Sequence, residues 1–305
     1  MQEIDPMSQD LRIVKTALCA EISVDFLYEH DAQDHPAFEL DTVPRIEEIL
    51  TRLRALDARR LSVRPDTAYL FAVHALEVAS DLETLARFVD APESVATGLY
   101  YLGLIHDVGK LFLPSAIWET STVKPSGLFK ALRRTHAPLG AAFLSANPDF
   151  LSTPYIDEDI LPFFRGKISI SSLVPADLAH RIPDRIPFEE ILQAVVHSPF
   201  KGHQTAFLPL AVTAAFRHHE KTGTDGPKDQ PVWLKCLALL EDLSGNMVER
   251  PHFTAAGRGT SLSEAVDHMR EEGSNTHDLG LLSLIQCAKE QDLSLGIVPG
   301  EPPQP

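Results

Sequence analysis

Apolar side chains recur at helical spacing along most of this 305-residue chain, and few stretches alternate with the period of two that a half-buried strand needs. The expected fold is therefore all-α. Residues 1–60 carry Ile46, Ile49, Leu50 and Leu53 on one helical face and predict a small helical N-terminal region. Pro65-Asp66 signals the start of a second helix, through Leu70, Phe71, His74, Val78, Leu82 and Leu85. A third runs from Pro92 through Val95, Leu99 and Leu102 to His106, and further helical patterns lie near 135–146, 205–219, 231–248 and 261–290. Residues 147–204 break the pattern, with seven prolines from Pro148 to Pro199. They predict an irregular insertion, long enough to serve as a lid or cover. The expected organisation is a helical region over 1–60, one helical domain over 61–295 with the insertion 147–204, and a loose tail over 296–305.

Charge narrows the partners. At a formal net charge of -16 the chain would repel a long phosphate backbone, so DNA and long RNA are excluded as expected partners. A small anion is acceptable wherever metals and local cations dominate. Hydrophobic residues at 44% and charged residues at 23% can bury an ordinary core. No run of about 18 apolar residues predicts a membrane span. The start of the chain, with Glu3 and Asp5, lacks the basic and apolar stretches of a secretory signal, so a cytoplasmic location is expected. Cys19, Cys236 and Cys287 are few, scattered and odd in number, which predicts free thiols in a reducing compartment.

The chemistry gathers around His106-Asp107, at the end of an apolar helix and followed by Val108-Gly109-Lys110. Neighbours on a helix point about 100° apart, so both can face one centre only from a helix end or a turn. An Asp there can give one oxygen to each of two cations, and a neutral imidazole favours transition metals. His74 lies on the apolar stripe of its own helix, where a lone histidine reads as a core residue and a histidine in company as a ligand. His136 follows Thr135, a candidate cap, with Pro138 tolerable in the first turn. His218-His219-Glu220 closes the stripe of Leu208, Val212 and Ala215. Asp242 sits in the apolar run Leu237 to Leu243, where a carboxylate needs a partner or a metal.

In this order the residues resemble the HD phosphohydrolase superfamily, and its HD-GYP branch in particular. Leu104-Ile105-His106-Asp107-Val108-Gly109-Lys110-Leu111 is similar to the family signature, continued by Leu113-Pro114. His136-Ala137-Pro138-Leu139-Gly140-Ala141, His218-His219-Glu220, Arg250-Pro251 and Leu262 to Gly273 resemble its later motifs, so the likeness covers roughly residues 67–290 apart from the insertion. The resemblance implies an HD-type helical bundle and two transition-metal ions, iron or manganese. It implies His74, His106, Asp107, His136, His218, His219 and Asp242 as ligands. The implied reaction is hydrolysis of a phosphodiester, cyclic di-GMP or a related signalling nucleotide, by a hydroxide bridging two cations about 3.5–4 Å apart. Asp107 and Lys110 would be catalytic, Lys110 as a point cation on a non-bridging oxygen.

The departures shape the alternatives. Lys221-Thr222-Gly223-Thr224-Asp225-Gly226-Pro227 keeps the proline of the family's Gly-Tyr-Pro but not its tyrosine. Leu70 stands where three-metal members carry a Glu, which favours a two-metal centre. Glu241 competes with Asp242, which is preferred because Leu237, Leu240 and Met247 then fall on the family's apolar positions. His197 rivals His136, which is preferred for Gly140 and its distance from His106. A metal-loaded binding module of weak activity, or a hydrolase of another phosphate ester, are the other classes. A protein partner or a second copy could engage the N-terminal region. Arg165, Lys167, Arg181, Arg185 and Lys201 make the insertion a candidate cover over the metals.

Overall fold

The structure, a computed structural model, describes residues 6–22, 36–65, 67, 69–118, 126–145, 195, 207–248 and 261–294. All regular structure among them is helical. In chain order the helices are α1 (Pro6–Glu21), α2 (Pro36–Val63), α3 (Phe71–Phe88), α4 (Glu93–Ile105), α5 (Gly127–Arg134), α6 (His136–Ser145), α7 (Phe207–Arg217), α8 (Val232–Met247), α9 (Leu262–Glu272) and α10 (Leu279–Ser294). Two 3-10 turns, Val108–Phe112 and Ser115–Trp118, follow α4. No helix among the described residues is long and apolar enough to cross a membrane. Cys19, Cys236 and Cys287 are free thiols.

The centre is the pair α3 and α4. On α3 the stripe Phe71, Ala75, Val78, Leu82 and Leu85 is buried, and His74 lies on it. Gly103 on α4 lets the two backbones meet, since a Cβ there would lie 2.5 Å from Ala79 Cα. α8 and α10 pack on α3, α7 packs on α6 and α4, and α6 packs on the first 3-10 turn. The N-terminal helices join this bundle: α1 lies on α8, and α2 on α3, α4 and both 3-10 turns. Val14, Leu18 and Ile22 at one end and Ile46, Ile49, Leu53 and Leu56 at the other enter the common core. Each such side chain, fully buried, stabilises the fold by about 1.5–3 kcal/mol.

Three boundaries differ from the expected ones. α3 begins at Phe71 rather than Pro65, because Leu70 is extended (φ -105°, ψ 131°) and the capping acceptor comes from elsewhere in the chain. Thr135 does not cap α6 with its side chain; its hydroxyl donates back to Leu132 O at 2.6 Å and it closes α5. The pattern over 261–290 is two helices, parted at Gly273, whose φ of +87° suits glycine. The segment 147–204, apart from Val195, lies outside the described residues, and so do the tail after residue 294 and Arg250-Pro251.

Candidate metal centre

Five elements deliver histidines and carboxylates to one buried place. α3 contributes His74 from its stripe. α4 ends at Ile105, so His106 and Asp107 occupy a turn and both face inward, followed by Lys110 in the 3-10 turn. His136 opens α6, and His218 and His219 stand in the turn after α7. α8 contributes Glu241. These residues form two groups that could hold metal ions, His74–His106–Asp107–Glu241 and His136–His218–His219, with the offered atoms of each group within 4.8 Å of one another.

The outer face of each ring fixes its inner face. His106 Nδ1–H donates to Gly103 O at 2.6 Å, His136 Nδ1–H to Arg133 O at 2.7 Å, and His218 Nδ1–H to Ala214 O at 3.0 Å. His74 Nδ1 meets Ser244 Oγ at 3.0 Å. A carbonyl can only accept, so Nδ1 of His106, His136 and His218 carries the hydrogen and Nε2 is left to the centre, the arrangement that metal-binding histidines adopt. Inside, His136 Nε2 lies 3.0 Å from His218 Nε2 and 3.2 Å from His219 Nε2. His74 Nε2 and His106 Nε2 lie 2.6 Å and 3.2 Å from Glu241 Oε2.

Asp107 stands between the groups. Its Oδ2 is 3.4 Å from both His74 Nε2 and His106 Nε2, and its Oδ1 is 3.0 Å from His136 Nε2 and 3.7 Å from His218 Nε2. Oδ1 is buried, and with the His136 hydrogen on Nδ1 it has no donor. A buried carboxylate oxygen without a donor is costly, and a cation beside it would remove that cost. Neutral nitrogens plus carboxylate oxygens suit a divalent transition metal, so the residues present fit such an ion. Lys110 Nζ pairs with Asp107 Oδ2, donates to Tyr69 Oη at 2.8 Å and is walled by the rings of Tyr69, Phe71 and Trp118.

Burial drives the electrostatics. It lowers His218 far below its ordinary value, and desolvation with the neighbouring His136 takes His219 to about 3, so both stay neutral as ligands must. Burial opposes charge on His106 as well, but the Asp107 and Glu241 carboxylates outweigh it and push that ring up to about 10. Burial would raise Asp107, yet Lys110 and His106 hold it well below the usual carboxylate range. Burial likewise opposes ionisation of Glu241, and His74 with His106 overcomes it. Once His106 gives up its proton, as a ligand must, Asp107 and Glu241 against Lys110 leave one net negative charge, which favours cations.

The structure thus brings together His74, His106, Asp107, Lys110, His136, His218 and His219, and corrects the last carboxylate. Asp242 points away: its side chain is 52% exposed and its nearest basic partner is His277, at 3.9 Å. Glu241 takes the inward position because it shares a face of α8 with Leu237 and Ser244, and Ser244 also meets His74. Lys110 is 3% exposed and engaged with Asp107, so its first effect is on the carboxylate. Gly109 serves a close approach, with His136 O only 1.8 Å from where a Cβ would lie. His197 lies outside the described residues. His268 is a surface residue paired loosely with Glu272, and buried His277 binds Glu272 at 2.7 Å.

The loop after His219 is clasped by the loop between α9 and α10. Thr222 and Gly223 donate to Thr276 O, Thr224 to Ser274 O and Asp225 to Asn275 O, each at 3.0 Å. The chain matches no family model and no curated protein.

Proposed function

We propose that this chain is a metal-dependent phosphohydrolase of the HD type, acting on a phosphodiester such as cyclic di-GMP or a related signalling nucleotide. The observation that carries the reading is the placement of Asp107, with one carboxylate oxygen toward each histidine group and Oδ1 without a donor. His74, His106, Glu241 and Asp107 Oδ2 would hold one ion, and His136, His218, His219 and Asp107 Oδ1 the other. Iron or manganese suits this nitrogen-rich set. When bound, such a pair supplies Lewis acidity and lowers the pKa of water at neutral pH. The chain's own residues do the rest. Outward Nδ1–H bonds keep the imidazoles oriented before any ligand arrives, and the pair Lys110–Tyr69 fixes the Asp107 carboxylate. The Lys110 ammonium also adds positive potential where phosphoryl oxygens would gather charge.

A second reading is a metal-loaded module that binds a nucleotide with little turnover. It is favoured by the depth of the centre, since His106, Asp107 and His218 have no exposure and Lys110 already has a carboxylate partner. Turnover separates the two. Protein loaded anaerobically with iron or manganese should hydrolyse cyclic di-GMP or bis(p-nitrophenyl) phosphate, with activity abolished by Asp107→Ala. Metal-loaded protein that binds the nucleotide without hydrolysing either would favour the module. Hydrolysis of nucleotide monophosphates alone would move the substrate to a phosphomonoester.

A further inference from the structure

Two helices that carry residues of the centre begin without a cap of their own. Leu70 before α3 and Pro231 before α8 offer no side-chain hydrogen bond to the first turn. The acceptors come from the N-terminal helices. Asp57 on α2 accepts from Phe71 N–H at 2.9 Å and from Ala72 N–H at 2.8 Å, one through each carboxylate oxygen. Glu21, at the end of α1, accepts from Val232 N–H at 3.0 Å and Trp233 N–H at 3.1 Å in the same two-pronged way. Each carboxylate satisfies two orphan donors and meets the positive end of a helix.

The helices held this way bear His74 and Glu241, which face each other at 2.6 Å in one of the two groups. α2 also reaches the shared carboxylate. Buried Arg60 donates to Asp57 Oδ1 at 3.2 Å and to Tyr69 O at 2.9 Å, and its guanidinium lies 4.1 Å above the Phe71 ring. Tyr69 in turn accepts from Lys110, the partner of Asp107. The other group stands on α6 and the turn after α7, whereas α1 and α2 pack mainly on α8, α3, α4 and the 3-10 turns.

The geometry points to Asp57 and Glu21 as positioning residues. Through them the N-terminal helices set the spacing of α3 and α8, and with it the cation affinity of the His74–His106–Asp107–Glu241 group more than that of the other. This rests on the metal-binding reading and deepens it, because it makes α1 and α2 a control element of that metal position. The physical route is the first-turn hydrogen bonds of Glu21 and Asp57 together with the helices α8 and α3 that they hold.

The test is a calorimetric titration of metal-free, full-length protein with Mn²⁺ in two backgrounds. In His136→Ala the His74 group is the intact one, and Asp57→Asn or Glu21→Gln should weaken Mn²⁺ binding by about 10- to 100-fold, the range for losing an outer-shell partner. In His74→Ala, Glu21→Gln should leave Mn²⁺ binding at the other group unaltered, and Asp57→Asn should weaken it less than in His136→Ala, through the Lys110–Asp107 pair only. Glu48→Gln, on the exposed side of α2, should change neither. Circular dichroism checks folding, and if Asp57→Asn is not folded, Glu21→Gln carries the test, since it keeps side-chain length and one acceptor oxygen. Equal weakening in both backgrounds, or none in His136→Ala, overturns the proposal. Failure of the unaltered chain to bind Mn²⁺ would overturn the metal reading itself, and this inference with it.

Discussion

Gly109→Ala tests whether the two histidine groups depend on one backbone contact. A Cβ at this position would lie 1.8 Å from His136 O, 2.6 Å from Gly140 N and 2.7 Å from His136 C. His136 O and Gly140 N are four residues apart, the pair that closes the first turn of α6. Relief to the 3.0 Å that real Cβ contacts respect requires the turn and the 3-10 segment to part by about 1.2 Å. The flanking Asp107, Val108 and Leu139 are fully buried, so the movement must be taken up by packed neighbours, at about 1–3 kcal/mol of stability. The same movement separates Asp107 Oδ1 from His136 Nε2, now 3.0 Å apart. Metal–ligand distances tolerate about 0.2 Å, so the ion of the His136 group should be lost while that of the His74 group stays. Turnover should fall about 100-fold, as expected for a misplacement near 1 Å. Elemental analysis, urea unfolding of the metal-free protein and turnover of one phosphodiester measure the three effects. Gly127→Ala is the control, because nothing lies within 4 Å of its added Cβ. A Gly109→Ala protein with unchanged stability and two ions would refute the reasoning.

Four further outcomes are expected. Glu241→Gln should lose the ion of the His74 group and Asp242→Asn should keep it; the reverse pattern in elemental analysis would return Asp242 to the centre. Asp107→Ala should strip both ions and all turnover, since both groups share its carboxylate. Lys110→Ala should keep both ions and slow turnover by about 100-fold, whereas loss of metal would limit Lys110 to holding Asp107 in place. In the metal-free protein His106 is raised to about 10 from an ordinary 6.5, so its contribution to stability is complete below 6.5 and vanishes as pH rises through 10. Calorimetry should show metal-free protein melting lower at pH 10 than at pH 7, with a smaller drop in His106→Gln; equal drops in the two would count against the shift.

What the sequence determined by itself is the all-helical class and most of the residues able to share a centre; it left α5 and the break between α9 and α10 unread. A histidine that faces a buried centre must lie on an apolar stripe, as His74 does, or at a helix end, as His106, His136, His218 and His219 do. Both positions are visible in the spacing of neighbouring apolar residues. The adjacency of His106 and Asp107 required a turn, and the structure has one. Register between distant helices left no such trace. Glu241 and Asp242 differ by about 100° around α8, and the choice between them was made by the packing of α8 on α3, where Ser244 meets His74. The division of the Asp107 oxygens between the two groups was likewise decided by where α6 and α8 stand relative to α4. Nor could spacing reveal that Asp57 and Glu21 cap helices 14 and 211 residues away in the chain. A local pattern records which face of a helix is buried, whereas which groups meet there is decided when helices far apart in sequence pack together.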